Sequence, residues 1–251
     1  MITMGEKMRK IQLSEFSDLN NLAGAAGYGS IYAQSVVQGF QQGDVYRLGE
    51  GAVVHHLCGF ALICGAAEQA QLEELYAALH GGRRCVLFCQ SGDVTGYFER
   101  AQGIKAERRL FYEYKKGAAN EWDLPEGFEI KEIDAGSILR LDGRITPSFS
   151  WESSERFLAK GKGFCVMHGQ VPAAWAFSAA VSDDEVDIGV ETLESYRGKG
   201  LAAAAANEMI RYALAVGKKP VWACHAGNVG SQKVAEKLGF EKVGECFTVT
   251  V

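Results

Sequence analysis

The feature that most constrains the fold of this chain is an internal repeat. When Cys64 is laid over Lys199, Cys64–Val94 aligns with Lys199–Val229 without a gap. Eleven positions are identical, namely Gly65/Gly200, Ala67/Ala202, Ala70/Ala205, Glu73/Glu208, Ala78/Ala213, Leu79/Leu214, Gly82/Gly217, Val86/Val221, Cys89/Cys224, Gly92/Gly227 and Val94/Val229. Because 251 residues are enough for two domains, the repeat predicts a duplicated unit.

A linker is predicted at Lys115–Gly127, where Gly, Asn, Asp and Pro interrupt the helix and strand patterns. It divides the chain into predicted domains 1–118 and 127–251. The second domain alternates patterns typical of a strand, two helices, three strands, a helix, a strand, a helix and a closing strand segment. This order predicts a mixed α/β fold, with its first helix expected over Ser137–Ile145.

The charge of the chain excludes several classes of partner. With 26 Lys and Arg against 31 Asp and Glu, the net charge is −5, so binding to nucleic acid or to an anionic membrane surface is not expected. The most apolar stretch, Gly51–Ala67, is too short to span a bilayer, and Met1–Lys10 lacks the apolar core of a signal peptide. These features favour a cytoplasmic protein.

The seven cysteines lie mostly in apolar runs and form no Cys-x-x-Cys pair. They are expected to be buried, reduced thiols, and no metal site is predicted.

The segment Tyr196–Ala202 carries the strongest chemical signal in the chain. It lies between a predicted strand and a predicted helix, where free backbone N–H groups and the helix dipole favour a phosphate. Gly198 and Gly200 would let the backbone approach the anion, and Arg197 and Lys199 would add charge-assisted hydrogen bonds. An acidic protein could therefore bind a pyrophosphate locally.

Two other phosphate-binding loops fit this segment poorly. A P-loop needs Ser or Thr after its Lys, but Gly200 follows Lys199. A dinucleotide-binding loop needs an acidic residue about 20 positions downstream, and Gly217–Val221 contains none. A glycine-rich turn with exposed basic residues is the remaining alternative. In the gap-free alignment the first copy has Leu62–Cys64 at Arg197–Lys199, so the first copy is expected to lack the loop.

The segment resembles the signature of the GCN5-related N-acetyltransferase (GNAT) superfamily, which Arg197, Gly200 and Ala202 match. The resemblance covers Phe128–Val251 and includes Asn228, Ser231 and the closing Leu238-Gly239-Phe240. Within the superfamily the chain is most similar to the zwittermicin-resistance-type acetyltransferases. The residues that carry this closer similarity are Trp151, Phe157, Glu191-Thr192, Tyr196–Ala202, Trp222, Asn228, Ser231 and Ala235–Phe240.

The resemblance implies a GNAT fold in the C-terminal half, preceded by a degenerate GNAT-like N-terminal half that binds no CoA. It also implies acetyl-CoA as the cofactor. The backbone of Val190, Glu191 and Thr192 would hold the pantetheine arm, and Asn228 would contact the cofactor, although a helix N-cap explains Asn228 equally well. The implied pyrophosphate site comprises Arg197, Gly198, Lys199, Gly200, Leu201, Ala202 and Ala203.

The catalytic groups common in this superfamily are missing. A Tyr that often serves as the acid is replaced by Ala235, and a Glu that serves as the base in some relatives is replaced by Ala223. Glu191, His225 and Ser231 remain as catalytic candidates. The working hypothesis is that Glu191 accepts the proton of the substrate ammonium.

These residues together predict an acetyl-CoA-dependent N-acetyltransferase. The acceptor would be a primary amine of a small molecule, such as an amine-bearing antibiotic or metabolite. The alternatives are a non-catalytic acetyl-CoA-binding sensor or regulatory module and a structural relic of the fold. The sequence does not identify the acceptor, and it leaves a homodimer open.

Overall fold

The computed structural model of the chain describes residues 8–16, 18–119 and 121–251. Asn120 of the linker and residues 1–7 of the Met1–Lys10 segment lie outside the described residues. The chain divides into two compact units. Unit 1 comprises the described residues up to Leu110 together with Gly244–Val251, and unit 2 comprises Phe111–Val243.

Unit 1 is a mixed sheet with four helices. Its elements are β1 (Arg9–Ile11), α1 (Leu19–Gly24), α2 (Ser30–Val37), β2 (Gly43–Leu48), β3 (Gly51–His56), β4 (Phe60–Cys64), α3 (Gln69–Leu79), β5 (Val86–Cys89), α4 (Gly92–Gln102) and the start of β6 (Glu107–Tyr114). Strands β1 to β4 pair antiparallel in sequence order, and β4 pairs parallel to β5. The crossover from β4 to β5 runs through α3.

After the end of β6, unit 2 repeats the order of helices and strands found in unit 1. It contains the end of β6, β7 (Phe128–Glu132), α5 (Ala135–Ile138), α6 (Ser154–Lys160), β8 (Gly163–His168), β9 (Val171–Val181), β10 (Glu185–Thr192), α7 (Leu201–Ala215), β11 (Lys219–His225), α8 (Val229–Leu238) and the start of β12 (Phe240–Thr250). Strands β7 to β10 are antiparallel, and β10 pairs parallel to β11. The mixed α/β prediction is confirmed.

The two halves of the chain exchange their last strands. In unit 1, β5 pairs antiparallel with β12, in the register Phe247↔Cys89 to Thr250↔Val86. In unit 2, β6 is the neighbour of β11 in the sheet order. The compact units therefore do not coincide with the predicted segments 1–118 and 127–251, because each unit takes its sixth strand from the other segment.

The helix predicted at Ser137–Ile145 is much shorter in the structure, where α5 covers only Ala135–Ile138. It ends at Ile138, after a first turn capped by Asp134. Bends and turns follow up to Thr146, and the backbone of Ile145 bonds to side chains of the sheet instead of to a helix. Gly136 and Gly143 also weaken any helix through this segment.

The loop comparison between the two copies needs a correction. Leu62–Cys64 belong to β4 and do not form the counterpart of Arg197–Lys199. The connection before α3 spans only residues 65–68, whereas the connection before α7 spans 193–200. The first copy therefore lacks the loop because its connection is shorter, and a gap-free alignment cannot represent that difference.

The hydrophobic core of unit 2 lies around β9, where ten consecutive residues after Val171 are buried. All seven cysteines are buried thiols, as expected. Within the described residues, no helix is long and apolar enough to cross a membrane. No group of three or more His, Cys, Asp or Glu residues in the described part of the chain is arranged to hold a metal ion.

Unit 1 contains a buried histidine that should make its stability depend on pH. His56 is 0% exposed, its Nδ1 accepts the backbone N–H of Cys58, and its Nε2 has no hydrogen-bond partner among the described residues. Burial, with a smaller contribution from the Arg83 charge, lowers the pKa of His56 to about 3. The folded state therefore keeps this ring neutral at pH values where the unfolded chain protonates it.

We expect His56 to lower the stability of unit 1 as the pH falls from about 6.5 towards 3. In this window the unfolded state binds one more proton, so the free energy of unfolding falls by up to about 1.4 kcal/mol per pH unit. Urea unfolding of the full chain at pH 7 and pH 4.5 would measure this fall in the free energy of unfolding. In His56→Gln the loss between these pH values should be smaller by about 2.5 kcal/mol, and equal losses in both proteins would contradict this assignment.

Candidate active site

The connection between β10 and α7 forms an open backbone loop. Gly198 and Gly200 have φ values of +79° and +78°, a left-handed conformation that side chains disfavour. No atom lies within 4 Å of the position that a Cβ would take at Gly198. Gly200 is also the N-cap of α7, so it cannot supply a side chain to the helix terminus. The two glycines thus place no side chain of their own over the start of α7.

This loop presents a row of unsatisfied N–H groups. Within the described part of the chain, the backbone N–H groups of residues 200–203, the N-cap and first three residues of α7, have no hydrogen-bond acceptor. The first turn of α7 contains no acidic residue, so the positive end of its dipole is not neutralised locally. Such a terminus is suited to an anion with several oxygens.

The corresponding helix of unit 1 is closed to an anion. Glu68 is the N-cap of α3 and forms a capping box with Gln71, whose Oε1 accepts the Glu68 backbone N–H at 2.7 Å. A carboxylate therefore already occupies the positive end of α3. This arrangement supports the prediction that the first copy binds no CoA.

Three cationic side chains surround the open loop of unit 2. Arg197, Lys199 and Lys237 are exposed, and none of them forms an ion pair with another described residue. The Lys199 ammonium lies 5.5 Å from the ring centre of Tyr196 and 5.6 Å from that of Phe128. Uncompensated positive charge is therefore concentrated at one point of an acidic protein, where it would attract an anion.

A wedge-shaped gap separates β10 from β11 beside this loop. The two strands pair only at Glu185↔Lys219, Val186↔Pro220 and Asp187↔Val221, although β10 continues to Thr192 and β11 to His225. Residues 189–192 of β10 are accordingly only half-buried. In unit 1, by contrast, β4 pairs with three of the four residues of β5, so most of that strand is paired.

An ion cluster fixes the closed end of the wedge. Lys219 Nζ lies 2.9 Å from Glu185 Oε1 and 3.0 Å from Glu113 Oε1, which joins β11 to its neighbours β10 and β6. Burial alone would lower the pKa of Lys219, but the two carboxylates outweigh it and the pKa is raised. Hydrogen bonds from Lys115 and Lys219 lower the pKa of Glu113. The strands are thus held together where they begin and diverge afterwards.

Glu191, the proposed base, lies on the part of β10 that does not pair with β11. It also anchors the loop that contains Ile145. Its Oε2 accepts the backbone N–H of Ile145 at 2.6 Å. Trp175, the cross-strand neighbour of Glu191, donates its indole N–H to the carbonyl oxygen of Ile145 at 2.7 Å. A Cβ at Gly143 would lie 2.4 Å from Glu191 Oε2, so this glycine permits the close approach.

Asn228 and Ser231 form the N-terminus of α8. Asn228 is the N-cap, and its Oδ1 accepts the Ser231 N–H at 3.0 Å. The Ser231 Oγ accepts the indole N–H of buried Trp222 at 3.0 Å. The N-cap role of Asn228 is therefore confirmed, whereas its contact with a cofactor stays a prediction. No base contacts the Ser231 hydroxyl in the described residues, and a catalytic role of Ser231 stays a prediction.

His225 lies exposed at the end of β11, at the mouth of the wedge. Its Nδ1 accepts the backbone N–H of Gly227 at 3.0 Å. In the neutral ring the proton is therefore on Nε2, which makes this atom a hydrogen-bond donor. In this conformation His225 can donate a hydrogen bond at the mouth of the wedge, and its catalytic role stays a prediction.

The two alanines at the family's acid and base positions differ in burial. Ala235 is 0% exposed inside α8, whereas Ala223 is half-buried on β11. Cys224 is also buried, as its predicted packing role requires. Neither alanine can transfer a proton, so Glu191 is the candidate with a carboxylate on the open part of β10.

Sequence reasoning missed four residues that shape this site. Trp175 and Ile145 fix the carboxylate of Glu191, and Trp122 and Lys237 lie beside Gly200. Trp122 could have been noticed as the one aromatic residue in the sequence of the predicted linker. The contacts of Ile145 depend on its backbone and had no signal in the sequence.

The geometry fits an acyl-CoA. The open N–H groups and cations suit a pyrophosphate, and the wedge between β10 and β11 would admit a narrow chain. Comparison with known proteins agrees, because residues 25–248 match the model of the GNAT acetyltransferase family. The chain belongs to this family. The similarity to the zwittermicin-resistance subgroup stays a prediction.

One curated relative is the protein described as uncharacterized N-acetyltransferase YdfB from Bacillus subtilis (strain 168). It is 33% identical over 141 residues, which are 55% of this chain and 54% of that protein. The match thus spans about half the length of the curated relative.

Solved structures share the fold over nearly the whole chain. A GCN5-related N-acetyltransferase-like protein from Streptococcus suis 89/1591 has a TM-score of 0.70 and 23% identity, covering 95% of this chain and 97% of that one. A tandem GNAT protein from the clavulanic acid biosynthesis pathway has a TM-score of 0.61 and 12% identity, with 98% of each chain covered. At these identities the likeness is one of fold.

Proposed function

We propose that this protein transfers the acetyl group of acetyl-CoA to a primary amine of a small molecule. The observation that carries the proposal is the combination, in unit 2 alone, of an uncapped helix N-terminus with strands that diverge beside it. In unit 1 the equivalent helix is capped by Glu68 and the equivalent strands stay paired. One cofactor per chain follows from this difference.

The residues that would hold the cofactor fall into two groups. The backbone N–H groups of residues 198–203, with the side chains of Arg197 and Lys199, would bind the pyrophosphate. The half-buried end of β10, at Val190–Thr192, would bind the pantetheine arm through its backbone. The Asn228 side-chain carbonyl is already engaged as the N-cap, so only the amide nitrogen of Asn228 could contact the cofactor.

Acetyl-CoA supplies an acetyl group that is activated as a thioester. An alkyl ammonium with a pKa near 10.4 must lose its proton before it can attack, which costs about 4.6 kcal/mol at pH 7. Glu191 would accept this proton, directly or through a water molecule. The new C–N bond then forms as the C–S bond breaks, and the electron pair leaves with the CoA sulfur. The second proton of the nitrogen passes to this thiolate, directly or through water, which leaves the amide and free CoA.

Glu191 is suited to this role by its position and by its partners. It lies on the half-buried end of β10, and the Ile145 N–H fixes one carboxylate oxygen. Its Oε1 makes no hydrogen bond with the described residues and can face a substrate. A carboxylate fixed by one oxygen and open at the other can accept a proton without losing its place.

Calorimetric titration of the full chain with acetyl-CoA tests the first half of the proposal. We expect one binding site per chain, followed by CoA release in a screen of primary amines. No binding would overturn the proposal. Two sites per chain would contradict the assignment of unit 1 as inactive.

A non-catalytic acetyl-CoA sensor is the second candidate. It is favoured by Ala235 and Ala223, which stand where relatives carry their acid and base. Binding at one site without CoA release from any amine in the screen would support this candidate over the enzyme.

A further inference from the structure

The predicted linker contributes a residue to the edge of the anion-binding loop. Trp122 belongs to the Lys115–Gly127 segment but is half-buried, unlike its exposed neighbours Glu121 and Asp123. Its Cζ2 lies 3.9 Å from the position that a Cβ would take at Gly200. The linker is therefore packed against the start of α7 at this point.

Lys237 meets Trp122 at the same place. Its ammonium lies 4.7 Å from the centre of the Trp122 ring and 3.9 Å from the Cβ position of Gly200. A cation over the face of an indole is held there by the ring quadrupole. Because Lys237 forms no ion pair with any described residue, its charge is available to an anion at the loop.

The location of Lys237 differs from that of the other two cations. Arg197 and Lys199 precede Gly200 in the loop, whereas Lys237 reaches the loop from the last turn of α8. A pyrophosphate on the N–H groups of residues 198–203 would already face the cations of the loop. Lys237 thus adds positive charge from a separate element, which suits a ligand with a further phosphate group.

We propose that Lys237, held in place by Trp122, binds the 3′-phosphate of CoA. This inference rests on the proposed function and assigns a subsite that distinguishes CoA from 3′-dephospho-CoA. Lys237 contacts the phosphate, and Trp122 is a positioning residue that limits the freedom of the lysine side chain. The linker would thereby take part in recognition of the nucleotide end of the cofactor.

Calorimetry on Lys237→Met tests the lysine. The Kd for CoA should rise about tenfold, the effect of losing one charge-assisted hydrogen bond at an exposed site, while the Kd for 3′-dephospho-CoA stays within about twofold. Lys233→Met is the matched control, because it removes the same charge from an exposed position one turn earlier on α8. It should leave both constants unchanged.

The role of Trp122 can be tested by tryptophan fluorescence. The other three tryptophans, Trp151, Trp175 and Trp222, are at most 2% exposed, so Trp122 is the indole placed to respond to a ligand at the loop. CoA should change the tryptophan emission of the parent protein, and Trp122→Phe should remove most of this change. In Trp122→Ala the Kd for CoA should rise about threefold, because the lysine loses its aromatic support.

The outcomes separate this inference from the proposed function. An equal loss of affinity for CoA and 3′-dephospho-CoA in Lys237→Met would overturn the 3′-phosphate assignment, since it would place Lys237 on the pyrophosphate. Unchanged affinity in Lys237→Met would overturn the subsite while the function stands. If the parent chain binds neither compound, the proposed function itself fails.

Discussion

Replacing Arg197 and Lys199 together by Ala should raise the Kd for acetyl-CoA about 100-fold. Each side chain would contribute a charge-assisted hydrogen bond to the pyrophosphate, and a tenfold loss for each is the lower end of the usual range. Both residues are exposed and form no ion pair with another described residue. The melting temperature without ligand should therefore change little. Calorimetric titration would measure the Kd.

The control for this double variant removes two charges from other exposed positions of unit 2. Arg211→Ala with Lys233→Ala changes the net charge by the same amount on α7 and α8, away from the loop. It should bind acetyl-CoA like the parent protein. An equal loss of affinity in both double variants would mean that overall charge, and not the loop, attracts the cofactor.

Replacing Glu191 by Gln should lower kcat about 100-fold and leave the Kd for acetyl-CoA unchanged. The Gln side-chain carbonyl can still accept the Ile145 N–H, so the loop should keep its place while the proton acceptor is lost. The limb of the pH–rate profile that reports the base should disappear. Steady-state kinetics with the best amine from the screen would measure these effects.

Glu191→Ala is the informative comparison, because it removes both the base and the bond to Ile145. We expect Glu191→Ala to have a kcat as low as that of Glu191→Gln. In addition, the KM for the amine should rise several-fold, because the loop that contains Ile145 is no longer anchored. If Glu191→Gln keeps the parent kcat and only Glu191→Ala is impaired, Glu191 positions the loop and some other group accepts the proton.

Local signals made much of unit 2 predictable. The bounds of β9, β10 and α8 follow from the sequence, because turn residues, Asn228 and Gly239 mark their ends. The uncapped start of α7 was equally visible from Gly198 and Gly200. Each of these features depends on residues close together in the sequence.

Features that depend on distant contacts could not be predicted. The exchange of β6 and β12 leaves no local pattern, since either strand would alternate in the same way beside β5 or β11. The wedge depends on where pairing between β10 and β11 stops. The missing helix beyond Ile138 depends on Glu191 and Trp175, which compete for the Ile145 backbone from another part of the chain.

The exchanged strands also determine when this chain can finish folding. Cys89 of unit 1 pairs with Phe247, so unit 1 cannot complete its sheet until the ribosome has released β12, after all of unit 2 has been made. Closing such a long loop costs entropy and slows folding. Until then the edge of β5 lacks its partner and presents unpaired backbone groups to other chains. The nascent protein should therefore depend on protection of that edge until β12 has been made.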